Sequence, residues 1–534
     1  MATSLSFGAA AEQAPVSETL NVKRTNVDFV VTNAKGEPVH GLTADQFQVL
    51  ENGKPQTITN FSEILSAADS NTASTVPRYI AIFFDNYSIT PANRSRFIAS
   101  LRTALKVMVR PGDRVAVQSW NRRTMTYVPF TTDLGQIDQA LDKIGGEVGT
   151  SLEMERRSAE QQIEQVANDA ALSSRPNPDT YSSGLSAARH YADTRTRDVK
   201  SSINAVGSYL SAMAGLDGRK VLILTGESLP LRPGAEIFQK LEMAKARMTS
   251  SQTGAPNLES GQYDLSRDVS ALGAAANSAG VTVYAINPNG TSRSNSGSVE
   301  NGTTGDNVAD FAVVTSGIDG YQLLARETGG LALIGTNTSQ SLASVNQDLS
   351  SYYSAAFASN TESGAGHTIE VRTTAPGARL RYARNVTVRS LGDDVSRTVM
   401  ANQLNEPASN ELGISLTAEP IQKLEGGKRK VGVVVMIPIA RLLLQPDGQQ
   451  VKGGFSVFFC SGDAKGEVSS VSSQRHDIAW PTETYAAAKA KSIGYRIEVV
   501  QDQPRDVISV GVVDENSQTT GYAKLNLAGP PAGR

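Results

Sequence analysis

The chain has 534 residues, which at about 150 residues per domain corresponds to three or four domains. Apolar residues make up 39% and charged residues 19%, as in folded globular proteins and unlike disordered or collagen-like chains. The formal net charge of −3 gives no basic field that would favour nucleic acid, and no run of about 18 apolar residues predicts a membrane span. A single cysteine, Cys460, excludes an intrachain disulfide, and four histidines without a common spacing do not suggest a zinc site.

Residues 1–17 form a predicted leader. The segment is small and uncharged until Glu12, and its three alanines at 9–11 resemble the cleavage site of a secretory signal, although a basic start is missing. A plain disordered leader explains the same composition. We therefore expect either a periplasmic or secreted protein or, failing a signal, a cytoplasmic one.

Residues 18–66 are predicted to form a β module. Residues 22–31 alternate between apolar and polar, and Asn52-Gly53 is a typical type I′ hairpin turn. A second β segment is predicted at 366–390. Because neither segment has enough strands to bury a sheet face alone, we expect the two to pair into one discontinuous sandwich.

Residues 77–358 carry the pattern of an α/β domain. The apolar run at 79–84 (YIAIFF) is typical of a parallel strand buried on both faces, and an amphipathic helix follows at 91–109. Such alternation predicts a doubly wound, Rossmann-like sheet. The link before residue 124 is too short for a crossover, so that strand is predicted to be an antiparallel edge. Further strands are predicted at 114–120, 125–129, 221–225, 281–287 and 331–334.

A helical insertion is predicted within this domain at 150–215. Two long, polar-rich helical patterns, at 151–171 and 181–213, would form a hairpin that projects from the sheet. The hairpin is either an ordinary solvated pair of helices or an arm that binds a partner, since an insertion beside a ligand-binding edge is well placed for specificity.

The last part of the chain returns to a β pattern. We expect a linker at 391–410 and an immunoglobulin-like β-sandwich at 411–528, because short apolar strands alternate there with Gly, Pro and Asp turns. Cys460 lies in one of these strands (FSVFFCSG) and is predicted to be a small buried hydrophobe rather than a nucleophile.

Four segments resemble a known family: 27–61 (VDFVVTNAKGEPVHGLTADQFQVLENGKPQTITNF), 217–224 (DGRKVLIL), 326–333 (RETGGLAL) and 342–357 (LASVNQDLSSYYSAAF). In their order and spacing they are similar to the von Willebrand factor A-related proteins described mostly from acidobacteria. The resemblance implies a non-enzymatic binding protein whose A domain holds Mg²⁺ at the C-terminal edge of its sheet. In that family a D-x-S-x-S motif, a threonine and a later aspartate supply the oxygen ligands, and a partner carboxylate completes the site.

The sequence departs from that motif. Asp85 matches the leading aspartate, but Tyr87 and Ile89 stand at the two serine positions and Ser88 lies between them. Gly226 stands where the later aspartate is expected, and Glu227 follows one place late.

The resemblance therefore implies a degenerate metal-ion-dependent adhesion site. Its candidate Mg²⁺ ligands are Asp85, Ser88, Glu227 and Thr196, with Thr194 as a competitor for the threonine position. Its candidate partner contacts are Asn86, Tyr87 and Gly226. The alternative is that Asp85 caps the following helix or accepts hydrogen bonds from loop amides.

These expectations together predict an exported, non-enzymatic interaction or adhesion protein with an unknown protein partner. The alternatives are a structural envelope component without ligand binding and a hydrolase that uses two carboxylates, such as Asp85 and Glu227. The common hydrolase and nucleotide-binding motifs, H-E-x-x-H, G-x-S-x-G and G-x-x-x-x-G-K, do not occur in the sequence.

Overall fold

A computed structural model describes residues 23–65, 78–147, 152–172, 178–216, 218–248, 258–289, 306–359, 366–387, 391–403, 407, 409–425, 428–462, 468–501 and 505–527. The predicted leader, 1–17, lies outside these residues. The strands, in chain order, are β1 (Lys23–Thr32), β2 (Phe47–Glu51), β3 (Lys54–Gln56), β4 (Ile58–Leu65), β5 (Arg78–Asp85), β6 (Arg114–Trp120), β7 (Thr124–Thr131), β8 (Arg219–Thr225), β9 (Val281–Asn287), β10 (Ala332–Ile334), β11 (Ser351–Ser359), β12 (Gly366–Thr373), β13 (Arg379–Tyr382), β14 (Asn385–Thr387), β15 (Ser415–Ala418), β16 (Gln422–Lys423), β17 (Arg429–Pro438), β18 (Gln445–Asp447), β19 (Gln450–Gly462), β20 (Ser472–Pro481), β21 (Ser492–Gln501), β22 (Val507–Asp514) and β23 (Thr520–Asn526).

The α-helices are α1 (Pro91–Met108), α2 (Leu134–Gly145), α3 (Leu152–Leu172), α4 (Pro178–Met213), α5 (Ala235–Met248), α6 (Ser266–Ala279), α7 (Asp306–Thr328), α8 (Thr338–Ser350), α9 (Leu391–Ala401) and α10 (Thr482–Ala488). None of these helices, within the described part of the chain, combines the length and apolar character needed to cross a lipid bilayer.

The central α/β domain contains a six-stranded sheet in the order β10-β9-β8-β5-β6-β7. All neighbouring strands are parallel except β7, which runs antiparallel to β6, so the prediction of a mainly parallel sheet is confirmed. The chain places β6 on one side of β5 and β8 on the other. The loops after β5 and β8 therefore diverge and leave a crevice at the C-terminal edge, where open α/β sheets usually bind ligands.

Helices cover both faces of this sheet, which explains why every residue of β5 is buried. Ile80, Ile82 and Phe84 point to one face and pack in the core formed with α1, α2 and α8. Tyr79, Ala81 and Phe83 point to the other and pack in the core formed with α4, α6 and α7.

The segment predicted as a helical insertion, 150–215, contributes to two different cores. The last four turns of α4, with Val199 and Leu210, pack in the core of the sheet and form its regular crossover helix. The first part of α4 instead packs with α3 and α5 around a separate core that contains Ile163, Tyr191 and Phe238. We call 152–172 and 178–194 the arm. Sequence patterning missed the division because one continuous 36-residue helix serves both cores.

The first β segment and the strands after the α/β domain share two four-stranded sheets, β13-β1-β11-β4 and β14-β12-β2-β3. Strand β1 pairs antiparallel with β11 from Lys23↔Ser359 to Phe29↔Tyr353. The core between the sheets contains Phe29 and Tyr353, whose rings stack at 5.8 Å. Strand β11 lies inside the range predicted for the α/β domain, 77–358, but its partners are β1 and β4, distant pairings that no local pattern reveals.

The C-terminal region also contains two sheets. One has β17 at its centre, paired with β15, β16 and β21, and the other has the order β18-β19-β22-β23 with β20 paired to β19. Their shared core contains Val433, Val457 and Val510.

The predicted linker at 391–410 is wrong over its first part, which is the helix α9. Val395 and Val399 are buried with Cys460 against β19 and β22, and on the other side α9 approaches the end of α4. A Cβ atom at Gly215 would lie 2.4 Å from the Thr398 Cα, so the two backbones are in close contact. Cys460 is buried, and this burial raises the pKa of its thiol to about 11.

Candidate functional site

Asp85 and Ser88 form the centre of the C-terminal edge. Asp85 is the last residue of β5 and is only 5% exposed. Its Oδ2 accepts a hydrogen bond from the Ser88 Oγ at 2.8 Å and its Oδ1 accepts one from the Ser88 amide at 3.2 Å. The Ser88 Oγ in turn accepts a hydrogen bond from the Glu227 amide at 3.1 Å. Ser88 therefore joins the loop after β5 to the loop after β8.

The carboxylate of Glu227 is directed at the start of α1. Its Oε1 accepts hydrogen bonds from the Thr90 amide at 2.7 Å, the Thr90 Oγ1 at 2.8 Å and the Asn93 Nδ2 at 2.9 Å. Thr90 is the residue that precedes α1, so Glu227 satisfies its amide together with the Thr90 and Asn93 side chains, and the Glu227 charge is favourable at the positive end of the helix dipole. The sequence assigned a capping role to Asp85 as one alternative; the cap comes instead from the neighbouring loop, and Asp85 bonds a loop amide.

Gly226 has no room for a side chain. A Cβ atom there would lie 2.5 Å from the Tyr321 hydroxyl oxygen, 2.8 Å from the Ser88 Oγ and 2.9 Å from the Asp85 Cβ. Tyr321, on α7, thus takes the space that an aspartate would need.

Tyr87 connects the edge to the arm. Its hydroxyl donates to the Glu155 Oε2 on α3 at 2.8 Å and accepts from the Arg122 Nη2 at 3.1 Å. Its ring lies edge-on against Trp120. Arg122 also pairs with Asp198 on α4 at 2.8 Å.

The predicted partner contacts are buried in this structure. Asn86 and Tyr87 are 0% exposed and Gly226 is buried, so they offer no surface to a partner while the arm is in place. Asn86 donates instead to the Glu147 carboxylate.

Thr196 and Arg195 lie on α4. The Thr196 Oγ1 is buried without a hydrogen-bond partner in the described part of the chain, whereas Thr194 accepts from Arg197. Arg195 is only 4% exposed, and its Nη2 donates to the Ser228 carbonyl at 3.0 Å. Sequence analysis missed Arg195, because one arginine in a charged helix gives no sign that it is buried.

The residues present do not fit the expected Mg²⁺ site. A hard cation needs several oxygen ligands that are free to turn toward it, but the Asp85 and Ser88 oxygens are bonded to each other and one Glu227 oxygen receives three hydrogen bonds. Within the residues that the structure describes, no three His, Cys, Asp or Glu side chains gather in a way that could hold a metal. Asp85, Ser88 and Glu227 are thus brought together as a hydrogen-bonded cluster.

Burial dominates the electrostatics of this cluster. It raises the pKa of Asp85 from 3.8 to about 6, against the opposing effects of the Arg195 charge and the hydrogen bonds from Ser88. Burial also raises the pKa of Glu236 on α5, whose Oε1 accepts from the Tyr191 hydroxyl at 3.2 Å.

The raised pKa predicts that Asp85 lowers stability at neutral pH. Between pH 3.8 and about 6 the folded state binds the proton more tightly than the unfolded state, so stability falls as the pH rises through this window. Asp85→Asn, which stays neutral, should gain about 2–3 kcal/mol over wild type on going from pH 4 to pH 8. Urea unfolding at both pH values measures this gain. The same change in unfolding free energy between pH 4 and pH 8 for the two proteins would contradict it.

Comparisons with known proteins give few constraints. Neither the known protein families nor the curated proteins contain a match to the chain. Among solved structures, an aerotolerance-related membrane protein from Bacteroides fragilis aligns at 13% identity over 51% of this chain and 98% of that one, with a TM-score of 0.23. Manganese-loaded TRAP protein from Plasmodium vivax aligns at 10% identity over 61% and 96%, with a TM-score of 0.23. Three N-terminal domains of the type V pili tip protein Mfa5 from Porphyromonas gingivalis align at 11% identity over 88% and 77%, also at 0.23. Scores this low transfer no function.

Proposed function

We propose that this chain is a non-enzymatic protein-interaction protein, of adhesion type and exported to the periplasm or secreted. In this proposal the α/β domain is a von Willebrand A-type domain of the family that the sequence resembles, and its metal site is degenerate. The strand order with one antiparallel edge strand, and an aspartate at the end of the first strand of the sheet, support the assignment.

The observation that carries the proposal is that the edge is closed by its own side chains. A hydrolase based on Asp85 and Glu227 needs both carboxylates to face a shared substrate and water. Here Asp85 is bonded to Ser88, and Glu227 is directed at the first turn of α1. The arrangement supports a role in binding over catalysis.

The arm provides the exposed surface of this edge. A groove of about 790 Å³ lies between α3 and the first half of α4. Its lining is mostly small and polar, and Tyr191 and His190 contribute the two ring side chains. The lining includes Ser158, Gln162, Ser183, Ser186, His190 and Tyr191.

Site-specific photo-crosslinking tests the proposal. A photoreactive amino acid at Ser183, in the groove, should capture a discrete polypeptide in the presence of EDTA, whereas the same group at Ser473 on β20 should not. Equal capture at both positions contradicts the proposed surface. Capture that needs Mg²⁺ and is lost in Asp85→Ala contradicts the degenerate site, and hydrolytic activity lost in Asp85→Asn contradicts a non-enzymatic role.

A further inference from the structure

Arg195 lies in the crevice where the strand order reverses. Its Nη2 donates to the carbonyl of Ser228, in the loop after β8, at 3.0 Å. Its guanidinium carbon is 5.5 Å from the ring centroid of Tyr87, in the loop after β5. The guanidinium therefore bridges the two loops that a cation at this edge would join, and it does so at 4% exposure.

We propose that the Arg195 guanidinium takes the place of the divalent cation at this edge, so that the edge loops stay together without metal. Both are positive charges at the edge that holds the buried Asp85, and the Arg195 charge lowers the pKa of Asp85 against the effect of burial. The guanidinium suits a buried position because it is delocalised, weakly hydrated and always charged. This inference rests on the proposed A-type domain but not on the partner or on the groove.

A second buried acid competes for the same charge. Glu236, on α5, is 8% exposed and also interacts electrostatically with Arg195. If Arg195 were only the counter-ion of Glu236, the Tm loss on replacing Arg195 would depend on Glu236 and not on Asp85. The other titratable groups around the guanidinium are Tyr87, Tyr191 and Tyr321, with Arg156 of α3 facing Glu236 and Tyr191.

A double-mutant cycle at pH 8 on the full chain separates these roles. Arg195→Met should lower the Tm of the α/β domain by roughly 5–10 °C, because it leaves the Asp85 carboxylate buried without a cation. In an Asp85→Asn background the same change should cost less than half as much, because the amide needs no cation. In a Glu236→Gln background most of the loss should remain.

Two further variants serve as controls for the charge at position 195 and for a nonspecific effect of methionine on α4. Arg195→Lys should lower the Tm less than Arg195→Met does, because it keeps the charge but loses the delocalised, weakly hydrated guanidinium. Arg197→Met, on the exposed side of α4, should leave the Tm unchanged. Equal losses from Arg195→Met in the Asp85→Asn and wild-type backgrounds overturn the proposal, as does coupling to Glu236 alone. If Arg195→Met does not fold, the double variant with Asp85→Asn should fold, and its failure also overturns it.

Mn²⁺ provides the independent measurement. The Tm of the wild type should be insensitive to millimolar Mn²⁺ and to EDTA, and electron paramagnetic resonance should detect no bound Mn²⁺. Binding of Mn²⁺ that Asp85→Asn abolishes overturns the proposal. None of these measurements involves the partner. The Arg195 inference can therefore fail while the groove still cross-links a polypeptide, and cross-linking can fail while the Arg195 inference holds.

Discussion

Gly226→Asp, which restores the aspartate of the adhesion-site motif, should destabilise the α/β domain by about 3 kcal/mol or more. A Cβ atom at this position would lie within 2.9 Å of three atoms, and a carboxylate would add a second negative charge near Asp85. Gly226→Ala, which adds the Cβ atom alone, should cost about 2 kcal/mol. Urea unfolding of the two variants separates the steric part of the cost from the electrostatic part.

Gly335→Ala is the matched control for this prediction. Gly335 follows β10 at the same edge of the sheet, and a Cβ atom there would meet nothing within 4 Å. The Tyr321→Phe background should recover about 1 kcal/mol of the Gly226→Ala loss, because the closest of the three atoms is the tyrosine hydroxyl oxygen. Wild-type stability in Gly226→Asp would contradict the close packing around Gly226.

Asp113→Ala should be the second severe change, with a loss of about 3–5 kcal/mol. Asp113 is 4% exposed, and its Oδ1 and Oδ2 accept hydrogen bonds from the Arg78 Nε at 3.0 and 3.1 Å. Its Oδ2 also accepts from the Arg78 Nη2 and from the Arg110 amide. The same guanidinium donates to the carbonyls of Met108 and Leu349. Removal of the carboxylate leaves this buried cation without its counter-charge at the point where the chain enters and leaves the α/β domain.

Asp138→Ala is the control for Asp113→Ala. Asp138 pairs with Arg102 at 2.8 Å, but the two side chains are 58% and 36% exposed, so its loss should cost under about 0.5 kcal/mol. The double replacement Arg78→Met with Asp113→Leu should recover much of the single-variant loss, because no uncompensated charge remains buried. Equal chemical-denaturation midpoints for Asp113→Ala and Asp138→Ala would contradict the assigned role.

The elements that could be predicted from the sequence are those with a strong local signal. The run YIAIFF has no polar interruption, and it is the fully buried β5. The antiparallel edge strand could be predicted because the link before it is too short for a crossover connection, and this strand is β7. The helix α9 was missed although Leu391, Val395 and Val399 recur at helical spacing; the C-terminal sheet on which Val395 and Val399 pack is distant in the sequence.

The residues of the candidate site also differ in how far the sequence could place them. Asp85 could be placed at the edge because a parallel strand fixes where its last residue lies. The direction of Glu227 could not, because it depends on the position of α1, and the burial of Arg195 depends on how a long helix crosses two loops. Long-range packing, rather than local preference, decides what such polar groups contact.

The two sheets that β1–β4 share with β11–β14 set an order of events during synthesis. Strands β1–β4 leave the ribosome before the whole α/β domain, and their partner β11 follows only after that domain is complete. At about 5–20 residues per second the early strands wait for tens of seconds with unpaired edges. The α/β domain should therefore fold first and bring the late strands to the early ones, which makes the nascent chain, before residue 351 emerges, the state most open to aggregation and to chaperones.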